Sequence, residues 1–147
     1  MVNRFLSQRI KVEIFQKERD KMKKEDLISK NIIRCAIEVH KTLGGPGLLE
    51  SVYEEALTWE LKQNHKVDRQ VELPIIYKGQ NIGNPLRIDL IVDESVIVEC
   101  KAISEHHSIF ESQVLTYLRL TELKLGLVLN FGQQYIKDGI HRVVNGL

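Results

Sequence analysis

The spacing of apolar residues sets out the elements of this chain. Over 25–43, Leu27, Ile28, Ile32, Ile33, Cys35, Ala36, Ile37, Val39 and Leu43 recur near the helical period, which predicts a helix buried over a wide face. Gly44-Gly45-Pro46-Gly47 ends it, because glycine supplies a left-handed cap and proline cannot continue a helix. A second helix is predicted over 47–64, with Leu49, Val52, Tyr53, Ala56, Leu57 and Leu61 inward and Trp59 a partly buried packing residue. Residues 66–77 read as a strand, placed at an edge or bulge by Pro74, and Lys78-Gly79-Gln80-Asn81 turns the chain. Two β-branched runs, 86–92 and 96–102, form a hairpin. A helix follows over 106–120, then a nearly continuous apolar strand over 124–131, a loop, and a last strand over 139–144.

The first 25 residues fit neither period for long. Ile10, Val12 and Ile14 alternate like a strand, whereas the stretch from Phe15 onward is as charge-dense as an exposed helix. We read residues 1–24 as a basic appendage and 25–147 as one domain, with no internal repeat or low-complexity linker between them.

Charge follows that division. Residues 1–25 hold eight Lys/Arg against four Asp/Glu and the remainder 13 against 16, so a basic arm precedes an acidic body. The overall net charge of +1 speaks against a protein that coats nucleic acid non-specifically. Cys35 and Cys100 lie in apolar runs without metal-ligand spacing, which suggests free thiols in a reducing compartment. With no signal-peptide pattern and no membrane-spanning apolar run, the expected location is cytoplasmic.

Candidate chemistry concentrates in the hairpin, whose strands spend interior positions on Arg87, Asp89, Glu99 and Lys101. A three-residue turn Asp93-Glu94-Ser95 would set Val92 opposite Val96, Asp89 opposite Glu99 and Arg87 opposite Lys101. These four would then share one face, with Ile88, Leu90, Val98 and Cys100 on the other. Opposed carboxylates repel, so the arrangement favours a cation between them, such as Mg²⁺ with oxygen ligands. A two- or four-residue turn would reverse the parity, and the same residues could also exchange cross-strand salt bridges alone. Glu50, Tyr53 and Glu54 fall on one side of the second helix, where a glutamate near the start is also favoured by the helix dipole. His106-His107 reads as a surface helix start, and His40, His65 and His141 form no ligand set.

Asp89, a ten-residue interval and then Glu99-Cys100-Lys101 resemble the signature of the PD-(D/E)XK nuclease superfamily. Gln113-Val114-Leu115-Thr116-Tyr117 is similar to the Gln-x-x-x-Tyr motif of its RecB-type branch, and Gly47-Leu48-Leu49-Glu50-Ser51-Val52-Tyr53 to the signature of the GxxExxY family within it. The likeness runs from about residue 25 to the end and includes Asn130-Phe131-Gly132. It departs from the pattern in having Ile88 where a proline often precedes the aspartate, and it lacks the four-cysteine cluster of some relatives.

The resemblance implies an α/β fold with a restriction-endonuclease-like core, a mixed sheet of four or five strands flanked by helices. It implies Mg²⁺ or Mn²⁺ held by Asp89, Glu99, the backbone carbonyl of Cys100 and Glu50. Lys101 would orient or activate water, with Glu50, Gln113 and Tyr117 in the catalytic set. The implied activity is metal-dependent phosphodiester hydrolysis, on DNA rather than RNA, with no membrane partner and with homo-oligomers left open. A non-catalytic module binding nucleic acid or protein on the same fold is the alternative.

Overall fold

The computed structural model describes residues 2–147. Its elements run α1 Val2–Lys21, α2 Lys24–Thr42, α3 Glu50–Lys62, β1 Val67–Leu73, β2 Ile76–Tyr77, β3 Gln80–Asn81, β4 Leu86–Val92, β5 Val96–Lys101, α4 Ile109–Thr121, β6 Leu125–Asn130 and β7 Ile140–Val144, with a 3-10 turn Ile136–Gly139 before β7. Five strands form one mixed sheet in the order β1-β4-β5-β6-β7, while β2 and β3 make a separate ribbon. Only β5 and β6 run parallel, which requires the crossover that α4 supplies. This is the mixed α/β architecture expected from the resemblance, with the larger of the two strand numbers.

Apolar side chains divide the molecule into layers. Helices α2 and α3 bury Ile32, Ala36, Tyr53, Leu57 and Leu61 against Leu90, Val98, Cys100, Leu127 and Leu129. On the other face α4 lays Val114, Tyr117 and Leu118 over Ile88, Ile97, Val128 and Val143. All six residues of β6 are buried, as its continuous apolar run requires of a strand covered on both sides. Gly126 in that strand lets α4 close down, since a Cβ there would collide with Val114.

Residues 10–14 do not become a strand. They lie within α1, with Ile10, Val12, Ile14 and Phe15 all exposed. Neither Gly nor Pro interrupts Val2–Lys21, and its Lys, Arg, Glu and Gln are good helix formers, so local propensity outweighs a three-residue alternation. Trp59 is also not a packing residue. It stands 64% exposed, because Leu57, Thr58 and Leu61 take the buried side of α3.

The hairpin register holds as read. Val92 pairs with Val96, Ile91 with Ile97 and Leu90 with Val98 around the Asp93-Glu94-Ser95 turn. Asp93 and Glu94 both adopt left-handed φ, at 50° and 54°, a conformation that favours glycine. External bonds hold them there. Lys66 N–H donates to Asp93 Oδ1 at 2.9 Å, Asp93 N–H donates to the Lys66 carbonyl at 2.8 Å, and His65 Nδ1 lies 2.6 Å from Asp93 Oδ2.

The expected division of faces fails at one place. Leu90, Val98 and Cys100 do share the α2/α3 side, but Ile88 packs on the α4 side with Ile97. The break has a partner in the neighbouring strand: β1 pairs Arg69 with Leu90 and Val71 with Ile88, while Gln70 between them has φ 54°. Both strands therefore kink at the same level, and the side chains beyond it change faces without any slip in register.

Candidate metal centre

The site forms where β4 and β5 cease to pair. Beyond Leu90 and Val98 the ladder gives way to side-chain bonds: Asp89 N–H donates to Glu99 Oε1 at 3.0 Å, and Cys100 N–H donates to Asp89 Oδ2 at 2.9 Å. Each carboxylate thus caps the backbone of the opposite strand with one oxygen. The Arg87–Lys101 opposition expected from the register is not part of this arrangement. Arg87 turns to Glu72 on β1 at 3.5 Å, and Lys101 sits beside Asn130 of β6.

Helix α3 delivers acids to this fork. Tyr53, fully buried, donates its hydroxyl to the Gly45 carbonyl at 2.7 Å and accepts Leu48 N–H at 3.2 Å, so it fastens the glycine turn to the helix. Gly44, Gly45 and Gly47 all have positive φ in that turn. Its ring stacks on Phe131, centroids 4.8 Å apart. The helix start is thereby fixed, and with it Glu50 and, one turn on, Glu54.

Glu54 is the functional candidate that the sequence reading did not single out. It is 6% exposed, receives Arg69 Nε at 2.8 Å and Gln70 Nε2 at 2.7 Å, and is linked to Asp89 through Gln70, whose Nε2 also lies 3.4 Å from Asp89 Oδ1. Its signal in the sequence was the i, i+4 spacing from Glu50; its partners come from β1, which no local pattern connects to α3.

The electrostatics follow from crowding acids at a buried fork. Burial pushes Glu99 up to about 8, with the Asp89 charge adding to the rise against the Asp89 N–H bond and Lys101. Burial also raises Asp89 to about 6; the Cys100 N–H opposes the rise, and Glu54 and Glu50 reinforce it. Glu50 is raised chiefly by desolvation, with Lys101 opposing and Glu54 assisting. Carboxyls this close are stable only when they share a proton or a cation.

Lys101 places its ammonium 4.5 Å over the Phe110 ring. The next segment is held by Asn130, whose Oδ1 accepts the N–H groups of Ile103 and Gly132 at 3.1 and 3.0 Å. Tyr117, buried on α4, is raised first by burial and then by the Glu99 and Asp89 charges, which puts it within electrostatic reach of the fork. Gln113 is exposed and makes no hydrogen bond among the described residues. The sequence-derived set therefore converges as Asp89, Glu99, Lys101 and Glu50, with Cys100 bonded to Asp89 and Tyr117 in electrostatic reach, while Gln113 is exposed on α4 with no side-chain hydrogen bond among the described residues. His40 and His65 take other partners: the Gln133 carbonyl and Asp93.

The donors fit a hard divalent cation. Oxygen ligands predominate, burial and mutual repulsion raise Asp89 and Glu99, and Glu99 Oε2 and Asp89 Oδ1 are not the oxygens committed to backbone N–H groups. No helix among the described residues is long and apolar enough to cross a membrane. Comparison with curated proteins and with solved structures gave no match. A family model described as the PD-(D/E)XK nuclease superfamily matches residues 26–143, which covers the sheet, the fork and α2 to α4 but excludes α1. The chain belongs to the PD-(D/E)XK nuclease superfamily.

Proposed function

We propose that this chain is a Mg²⁺- or Mn²⁺-dependent nuclease of the GxxExxY type in the RecB-like branch, hydrolysing phosphodiester bonds in DNA rather than RNA. The observation that carries the reading is the fork itself: Asp89, Glu99 and Glu54 crowd together at a break in the sheet, with Lys101 two residues past Glu99 and Glu50 arriving from α3. In this reading Asp89, Glu99 and the Cys100 carbonyl hold the ion, Glu50 assists, and the membership of the superfamily supports a nucleic-acid substrate. The ion would supply Lewis-acid activation of water and charge neutralisation at the phosphate.

The chain's own residues have separate tasks. Lys101 orients the attacking water and offsets the charge that develops on the phosphoryl oxygens. Glu54, tied to Arg69 and Gln70, keeps Asp89 in place. Tyr117 steadies the lysine or the phosphate from the α4 side, and Gln113 reaches substrate from the exposed surface of the same helix. Residues 25–147 form the nuclease unit and 1–24 a basic arm that can meet the phosphate backbone.

Incubation with linear, circular and single-stranded DNA and with RNA, in Mg²⁺ or Mn²⁺, tests the reading. Wild type should cleave DNA. Glu99→Gln and Lys101→Ala should each lower turnover by about 10²–10³-fold, the scale of removing one transition-state charge stabiliser. Equal background cleavage by all three proteins would sink it.

A further inference from the structure

A second set of convergent donors lies on the α4 side of the sheet. His106 belongs to the segment between β5 and α4, Glu111 to the first turn of α4, and His141 to β7. His106 Nε2 bonds Glu111 Oε1 directly, and His141 Nδ1 lies 3.8 Å from the same oxygen. One ligand atom from each residue falls within 4.8 Å of the others. The two imidazoles stack with centroids 3.6 Å apart and planes 16° from parallel.

Two further facts separate this cluster from an ordinary histidine–glutamate pair. His106 Nδ1 and His141 Nε2 are buried with no hydrogen-bond partner, although buried polar atoms are nearly always satisfied. One carboxylate and two close imidazoles bring several lone pairs to the same place. Rotation of either ring exchanges which nitrogen faces inward, so both rings can present a lone pair to one point.

We propose that His106, Glu111 and His141 bind a divalent transition-metal ion of the Zn²⁺ class. Two imidazoles and a carboxylate suit Zn²⁺ or Co²⁺ and not Mg²⁺, which takes oxygen ligands. Three protein ligands leave a coordination position for water, and side-chain exposures of 26%, 39% and 26% give solvent a way in. The site is separate from the fork: Glu99 pairs across Val128 with His141, two strand spacings or about 10 Å away.

The ion would join the start of α4 and the segment just before it to β7, which is distant in the chain. It clamps the segment after Lys101 and the start of α4 to the last strand, next to Phe110, which lies under the Lys101 ammonium and meets the His106 ring edge-on at 6.2 Å. This proposal stands whether or not the fork cleaves phosphodiesters.

The full chain, with excess Mg²⁺ present to occupy oxygen sites, should be titrated with Co²⁺ while its visible absorption is followed. Wild type and Glu99→Gln should each take up one ion that Zn²⁺ displaces. His106→Gln and His141→Gln, checked for folding by circular dichroism, should bind at least about tenfold more weakly. Nitrogen NMR of the histidine rings in wild type needs no substitution, and Zn²⁺ should shift His106 and His141. Unmoved ring resonances, histidine variants that titrate like wild type, or loss of the Co²⁺ band in Glu99→Gln would overturn it.

Discussion

Asp93 and Asp89 stand four residues apart at opposite ends of one hairpin, and the fold treats their charges in opposite ways. At the closed end, partial burial raises Asp93 but is outweighed by His65 and the Lys66 N–H, which together hold it below the ordinary carboxylate range. At the open end, burial and the neighbouring acids lift Asp89 to about 6 despite its own backbone bond. Residue type therefore does not decide the charge state; the depth of burial, set against the supply of cations and N–H groups, does. The closed end is complete in itself, whereas at the open end Lys101 and Arg69 do not offset the burial of the acids around Asp89.

The largest effect that tests this contrast is on stability without metal. Glu99 and Asp89 have folded pKa values above their unfolded ones, so the proton favours the folded state. Their contribution is full below about pH 4 and is lost as pH rises towards about 8. Urea denaturation in chelator should show stability falling across that window. Glu99→Gln should remove most of this fall, and Mg²⁺ should bind more tightly as pH rises through the same range. A flat profile in chelator would mean that the fork carries no frustrated charge.

At the closed end the sign reverses. Asp93 is depressed, so its contribution is present above the unfolded value of about 3.9 and is lost as pH falls through the folded value. Asp93→Ala should destabilise the protein by about 1–3 kcal/mol at neutral pH, with a smaller difference at pH 3, because a half-buried His65 and the Lys66 N–H lose a charged partner. The same variant should leave the pH dependence of metal binding at the fork unchanged.

The smallest effect concerns Gln113. It is exposed and has no side-chain hydrogen bond among the described residues, which suits substrate contact, so Gln113→Ala should lower DNA turnover less than about tenfold, or about 1.4 kcal/mol. A loss as great as that of Lys101→Ala would place it at the reacting atoms instead.

Much of this was legible in the sequence wherever one element decides the outcome by itself. The helices, the glycine stop and the hairpin register are local and appear near where the apolar spacing puts them, although Leu49 and Val52, expected inward, are exposed at the start of α3. The misreadings arise where two distant segments meet. Ile88 changes faces because Gln70 on β1 kinks at the same level as Asp89, and Glu54 enters the site because Arg69 and Gln70 reach it. His141 was set apart from His106 because 34 intervening residues hide the contact that the β6–β7 pairing creates. Trp59 was read from composition, whereas the buried side of α3 is chosen by its neighbours.

Tyr53 lies on Phe131, and the Phe131 N–H donates to the Lys101 carbonyl at 2.7 Å. The glycine turn, the acidic helix and the lysine strand therefore rest on a single aromatic floor at the centre of the core. The backbone of Phe131 holds the Lys101 strand while its ring carries Tyr53 of the acidic helix. If the fork holds an ion as proposed, discrimination between ions of different radius would fall to the packing beneath the site as much as to the carboxylates. Trimming that floor, as in Phe131→Leu, would alter which ion fits while leaving every acid in the sequence untouched.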